Sequence, residues 1–145
     1  MSQKLSIKDL AIDGKKVLVR VDFNVPLTPS CEVADTKKIT ETLKTIHYLI
    51  EHHCKIILIS HLGKPDGKKN MNYSLRPVAK ALSKLLKKNV LFIEDCIGEH
   101  VKKEIDHLKE GEVALLENLR FYPEEENPFD VFLFLSSALI ENKRS

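Results

Sequence analysis

Short runs of β-branched and aliphatic residues recur along this chain, each followed by apolar positions at helical spacing. Residues 16–23, Lys16-Val17-Leu18-Val19-Arg20-Val21-Asp22-Phe23, read as a buried strand. Val25-Pro26 breaks it, and a loop runs on to Ser30. Asp35 can cap a helix whose apolar stripe is Ile39, Leu43, Ile46, Leu49 and Ile50, ending near His52 or His53. Residues 54–60 form a second buried strand, and residues 61–73 a polar loop with Gly63, Pro65 and Gly67. Ser74 is a plausible N-cap for a helix carrying Val78, Leu82, Leu85 and Leu86, and Lys87-Lys88 suit its negative end. A third strand spans 90–93 and ends at Glu94-Asp95. A third helix spans 99–109, with Val101, Ile105 and Leu108 inward. A fourth strand spans 112–116 and ends at Glu117-Asn118.

Strands that alternate with helices predict right-handed βαβ units. The expected class is α/β: a doubly wound, mostly parallel sheet with helices on both faces, forming a single domain over residues 1–145. Past Arg120 the pattern weakens. Residues 123–128 read as a loop, 129–140 as a last helix and 141–145 as a polar end.

Composition narrows the function. A chain of 145 residues can bury roughly 70% of its unfolded surface. Its 43% apolar and 30% charged residues place it among globular rather than disordered proteins. The net charge is +2 and the lysines are scattered in pairs, such as Lys15-Lys16 and Lys102-Lys103, as on a solvated surface. Without a concentrated basic face, nucleic acid is not an expected partner. Cys31, Cys54 and Cys96 have no framework spacing, which suggests free thiols in a reducing compartment. His52-His53-Cys54 reads as a helix end running into a strand, since adjacent helical residues point to different faces. No apolar segment follows Met1, and the longest apolar run, 131–135, is far short of the roughly 20 residues that span a bilayer. A cytoplasmic protein with no membrane partner is expected.

Ligands of open α/β sheets bind beyond the carboxyl ends of the strands. Here the first strand ends in Asp22 and Asn24, and the second in Ser60-His61 with Lys64 beyond. The third ends in Asp95, and the fourth in Glu117-Asn118 with Arg120 two residues on. His61, Lys64 and Arg120 suit an anion, and arginine can hold a phosphate by two parallel bonds. Asp22 and Asn24 suit hydroxyls or a carboxamide-like contact. Together they point to a small phosphorylated, hydroxylated metabolite. No G-x-G-x-x-G follows the first strand. Gly63-Lys64 lacks the Ser/Thr and the earlier glycine of a P-loop, so nothing obviously cradles a nucleotide.

Three segments carry a specific resemblance. Arg20-Val21-Asp22-Phe23-Asn24-Val25-Pro26, Ser60-His61-Leu62-Gly63-Lys64-Pro65-Asp66-Gly67 and Leu115-Leu116-Glu117-Asn118-Leu119-Arg120-Phe121 resemble, in order, three signatures of phosphoglycerate kinases. The resemblance covers about residues 4–126. It implies a Rossmann-like N-terminal domain that holds 3-phosphoglycerate or 1,3-bisphosphoglycerate. A separate C-terminal domain would hold ATP or ADP with Mg²⁺, and hinge closure would bring the two together. Carried over by position, Asp22 and Asn24 would meet the substrate's hydroxyl and carboxyl end. His61, Lys64 and Arg120 would hold the non-transferring phosphate, and Lys38 would stabilise the phosphoryl group in flight. Arg20, inside the strand, is expected to be a structural, paired arginine.

The resemblance also has departures. Lysine stands at 38 and 64 where the family places arginine, giving a point charge instead of a fork. After residue 128 the family pattern continues into a helix, a strand and another substrate arginine. Residues 129–139 can pass for the helix, but 140–145 do not match the strand. The chain is therefore expected to lack that strand and the nucleotide domain, to be inactive alone, and to expose a sheet edge open to self-association; the complete enzyme would be monomeric. The rival reading is a non-catalytic module from the same domain that binds an anion or a partner. An unrelated nucleotide-binding α/β domain is a third reading, weakened by the missing glycine motifs.

Overall fold

The computed structural model describes residues 13–63, 70–95 and 98–121, together with the backbone of residues 138–141. Its elements are β1 (Lys16–Arg20), α1 (Lys37–Glu51), β2 (Lys55–Ile59), α2 (Arg76–Leu86), β3 (Val90–Ile93), α3 (Glu99–Asp106), β4 (Val113–Leu116) and β5 (Ala138–Glu141). All strand pairs are parallel, in the order β3-β4-β2-β1-β5.

The near-continuous apolar strands follow from burial on both faces. Side chains alternate across a strand, so each strand feeds two cores. Val17, Val19, Ile56 and Leu58 pack with Ile39, Ile46 and Leu49 of α1 and Val78 and Leu82 of α2. Leu18, Ile57 and Ile59 pack on the other face with Val101 and Ile105 of α3 and with Leu108. The chain moves one way across the sheet from β1 to β2 to β3, then reverses to β4. A right-handed connection that reverses direction has to cross to the opposite face, and α3 does so.

Helix starts differ slightly from expectation. Thr36 is the N-cap of α1 and makes no side-chain cap bond. Asp35 still accepts the first free donor, Lys37 N–H, at 2.9 Å. The Ser74 hydroxyl oxygen likewise accepts Arg76 N–H at 3.2 Å. His52 closes α1, His53 takes a left-handed turn at φ 60°, and buried Cys54 leads into β2. This segment is a helix end running into a strand.

Residues 138–141 correct the reading of the chain end. A helix was expected over 129–140 with no strand after it, yet Ala138–Glu141 is a strand. It pairs with β1 from Val17↔Ala138 to Arg20↔Glu141. β1 is therefore paired on both sides, by β2 and β5, and is not the open edge expected to drive self-association. The reason is local: short apolar runs carry no period that separates a buried helix from a buried strand. Backbone pairing along β1 then decides, because unpaired N–H and C=O groups are costly. The loop over 123–128, Cys96 and the rest of the expected helix, 129–137, lie outside the described residues.

Candidate functional site

The extended chain continues past β1. Val21 N–H still donates to Ile59 O at 3.0 Å, and Phe23 N–H donates to Ser60 Oγ at 3.0 Å. Val21, Phe23 and Val25 are buried, so the alternation turns Arg20, Asp22 and Asn24 the other way. Asp22 Oδ1 accepts Asn24 N–H at 3.1 Å, closing a tight Asx turn. Lys38, in the first turn of α1, reaches back to it. Its Nζ lies 3.3 Å from Asp22 Oδ2 and donates to Asn24 O at 3.0 Å.

β2 supplies the next group. Ser60 and Leu62 are buried, and His61 between them is half-buried. Gly63 N–H donates to Asn24 Oδ1 at 3.0 Å, which binds this loop to the one after β1 and leaves the Asn24 Nδ2 group to donate elsewhere. Gly63 has φ +61°, and a Cβ there would overlap the ring of Tyr73, so the position demands glycine.

β4 supplies the third group. Leu119 N–H donates to Ser60 O at 3.1 Å, so the chain after β4 stays alongside the end of β2. The turn Leu119–Phe121 then presents Arg120 exposed. Burial, and next the charge of Arg120, hold the His61 pKa below its ordinary 6.5; Arg20 and Lys38 act the same way and Asp22 opposes them. The charges that act on His61 are thus three cations against one carboxylate, a balance that could take an anion.

The structure thus brings together Asp22, Asn24, Lys38, His61 and Arg120. Lys64 lies outside the described residues. The other three strand-end residues are placed differently. Glu117 is buried and accepts from Ser74 Oγ at 2.7 Å and Leu75 N–H at 2.8 Å. Asn118 is buried and bonded to backbone. Asp95 ends β3 at the sheet margin, where its carbonyl accepts Glu117 N–H at 3.3 Å. Arg20 was expected to be a structural, paired arginine outside the site. It is exposed, and its charge reaches His61. The period-two alternation puts Arg20, Asp22 and Asn24 on one side.

A separate open groove of about 580 Å³ lies along α2, lined by Cys31, Glu32, Arg76, Lys80 and Lys84 among others. None of the clustered residues lines it. Its arginine is engaged by Glu94 and lies 4.8 Å over the Phe92 ring. Among the described residues, no three His, Cys, Asp or Glu side chains are grouped as metal ligands.

Comparison with known proteins agrees with this geometry. The phosphoglycerate kinase family model matches residues 7–141. The phosphoglycerate kinase of Neurospora crassa is 50% identical over 127 residues, covering 87% of this chain and 30% of that protein. The phosphoglycerate kinase of Pelodictyon phaeoclathratiforme is 51% identical over 124 residues, covering 86% and 31%. The crystal structure of phosphoglycerate kinase from Pyrococcus horikoshii OT3 superimposes with a TM-score of 0.82 at 31% identity, covering 95% of this chain and 36% of that one. The phosphoglycerate kinase structure from Coxiella burnetii gives 0.79 at 30% identity, covering 94% and 34%. The chain spans about a third of the length of the relatives it matches, with its three signatures on adjacent strand ends, and it belongs to the phosphoglycerate kinase family.

Proposed function

We propose that this chain is the substrate-holding domain of a phosphoglycerate kinase. It binds 3-phosphoglycerate or 1,3-bisphosphoglycerate for reversible phosphoryl transfer with ADP in glycolysis. One observation carries the reading: Asp22, Asn24, Lys38, His61 and Arg120 converge beyond the carboxyl ends of β1, β2 and β4, in a cluster rich in positive charge.

In this reading Arg120 and His61 hold the non-transferring phosphate, with Lys64 joining them from the same signature. A guanidinium offers two parallel donors to phosphate oxygens. His61, kept largely neutral near pH 7, donates through one ring N–H and gains its charge when a dianion arrives. Asp22 and the Asn24 amide meet the hydroxyl and carboxyl end. Lys38 meets the phosphoryl group in flight, from the first turn of α1, whose free N–H groups add partial positive charge. Such transfer depends on positioning and charge neutralisation. ADP or ATP and Mg²⁺ belong to a nucleotide-binding domain in the complete, monomeric, cytoplasmic protein. Among the described residues no helix is long and apolar enough to cross a membrane.

A second reading keeps the anion site and drops catalysis. It is favoured by Lys38, whose ammonium already rests on Asp22 and the Asn24 carbonyl. Titration calorimetry with 3-phosphoglycerate tests what the two share. Weak, saturable binding that Arg120→Ala removes is expected. A folded chain that takes up no ligand at millimolar concentration would end both readings.

A further inference from the structure

Asn118 is fully buried two residues past β4, behind the groups that would face a ligand. Its side-chain amide ties together three separate segments. Nδ2 donates to Leu62 O at 2.7 Å and to Tyr73 O at 2.8 Å, so both amide hydrogens are used. Oδ1 accepts Arg120 N–H at 3.0 Å. Leu62 is the neighbour of His61. Tyr73 carries the ring packed over Gly63, whose N–H in turn holds Asn24. The backbone of Asn118 is anchored as well, since Glu117 Oε1 accepts its main-chain N–H at 2.9 Å. Only a group with two donors and one acceptor, uncharged and this short, satisfies all three contacts.

We propose that Asn118 is a positioning residue: its buried amide sets the spacing between His61 on one loop and Arg120 on the other, and so builds the anion seat that neither loop forms alone. Where the anion is concerned the proposal rests on the phosphoglycerate reading; the spacing itself does not. No other bond of Arg120 to the cluster is required by the contacts above. Without the Asn118 amide the turn keeps the Leu119 N–H to Ser60 O bond, and loses the side-chain ties that fix Arg120 N–H relative to Leu62 and Tyr73.

A ligand-free readout separates this role from general stability. The charged groups that act on His61 are Arg120, Arg20 and Lys38, which lower its pKa, and Asp22, which raises it. The His61 ring titration is followed by NMR in the wild-type chain, Arg120→Ala, Asn118→Ala and the double variant, with circular dichroism reporting the fold. Arg120→Ala should raise the His61 pKa. Asn118→Ala should raise it in the same direction, and the double variant should go no further than Arg120→Ala alone. Independent, additive shifts, or an unmoved His61 in Asn118→Ala, would overturn the proposal. Should Asn118→Ala not fold, Asn118→Ser takes its place; if neither folds, Asn118 serves stability alone and the proposal is wrong. In parallel, Asn118→Ala should weaken 3-phosphoglycerate binding by about tenfold to a hundredfold, the scale of a lost charge-assisted hydrogen bond, and by nothing more once Arg120 is gone. Wild-type protein that shows the His61 pattern but binds no 3-phosphoglycerate would sink the functional reading and leave the positioning role standing.

Discussion

Lys38 Nζ lies 3.3 Å from Asp22 Oδ2, so a single ion pair pins the first turn of α1 to the loop that leaves β1. Both side chains are partly exposed, at 35% and 42%. The pair is therefore worth about 1 kcal/mol or less in stability. Its importance is positional: Asp22 and the Asn24 carbonyl hold the ammonium at the strand-end rim.

That arrangement yields a prediction for turnover. In a chimera completed with the remaining part of a relative such as the Neurospora crassa enzyme, Lys38→Ala should lower kcat by about 10³-fold, the lower end for a cation that meets a migrating phosphoryl. Lys38→Arg should keep or raise kcat, because a fork can hold Asp22 and the phosphoryl together. An alanine variant with unchanged kcat would take Lys38 off the catalytic list and favour the non-catalytic module.

For the chain by itself, no ATP production is expected from 1,3-bisphosphoglycerate, ADP and Mg²⁺. The sequence carries no phosphate-cradling glycine loop, and the chain spans about 30% of its relatives. A coupled assay on one clean preparation decides this, and sustained turnover above background would refute it.

His61 sets the pH behaviour. Its folded pKa lies below 6.5, from burial first and Arg120 second, so the unfolded chain binds the proton more readily. The sign follows: this group's contribution to stability is full above about pH 6.5 and declines as pH falls through the folded value. Ligand binding runs the other way. A phosphate dianion raises the His61 pKa and draws in a proton, so affinity for 3-phosphoglycerate should improve as pH drops from 8 to about 6.5, above the second phosphate ionisation. In His61→Gln both slopes should flatten. Calorimetry in buffers of different ionisation enthalpy reads the proton uptake directly, and its absence in the wild type would contradict the assignment.

Glu117 should matter for stability. Its carboxylate accepts Ser74 Oγ, Leu75 N–H and Asn118 N–H, joining the end of β4 to the start of α2. Glu117→Ala orphans three buried donors and should cost about 3 kcal/mol or more, seen as a lower midpoint in urea. An unchanged midpoint would mean that water replaces the carboxylate.

The fold was readable because the strands are apolar on both faces and the helices on one. Apolar runs bounded by polar loops marked the strands, expected over residues 16–23, 54–60 and 112–116, and one-sided stripes marked the helices between them. The site was partly readable. Strand ends predicted Asp22, Asn24, His61 and Arg120, but polarity at a strand end does not say which way a side chain turns. Glu117 and Asn118 turned inward to satisfy backbone groups, a demand visible only once α2 and the 61–63 loop are in place. Arg20 was read by its place within a strand, and the alternation it shares with Asp22 adds that its charge reaches His61. Ala138–Glu141 was unreadable for another reason: four residues hold no period, and their state was decided by the partner strand.

Pairing of β5 with β1 predicts a further result. Deleting residues 138–145 should leave one side of β1 unpaired, lose amide protection there in hydrogen exchange, and promote association in sedimentation runs. A shortened chain that stays monomeric with β1 still protected would show that another segment covers that side.

Backbone amide shifts on addition of 3-phosphoglycerate locate the site most directly. Saturable shifts should gather at Asn24, His61, Gly63, Leu119 and Arg120, at the ends of β1, β2 and β4, and vanish in Arg120→Ala. Shifts centred instead on Cys31, Lys80 and Lys84 along the α2 groove, or none at all in a folded sample, would contradict a substrate seat at the strand ends.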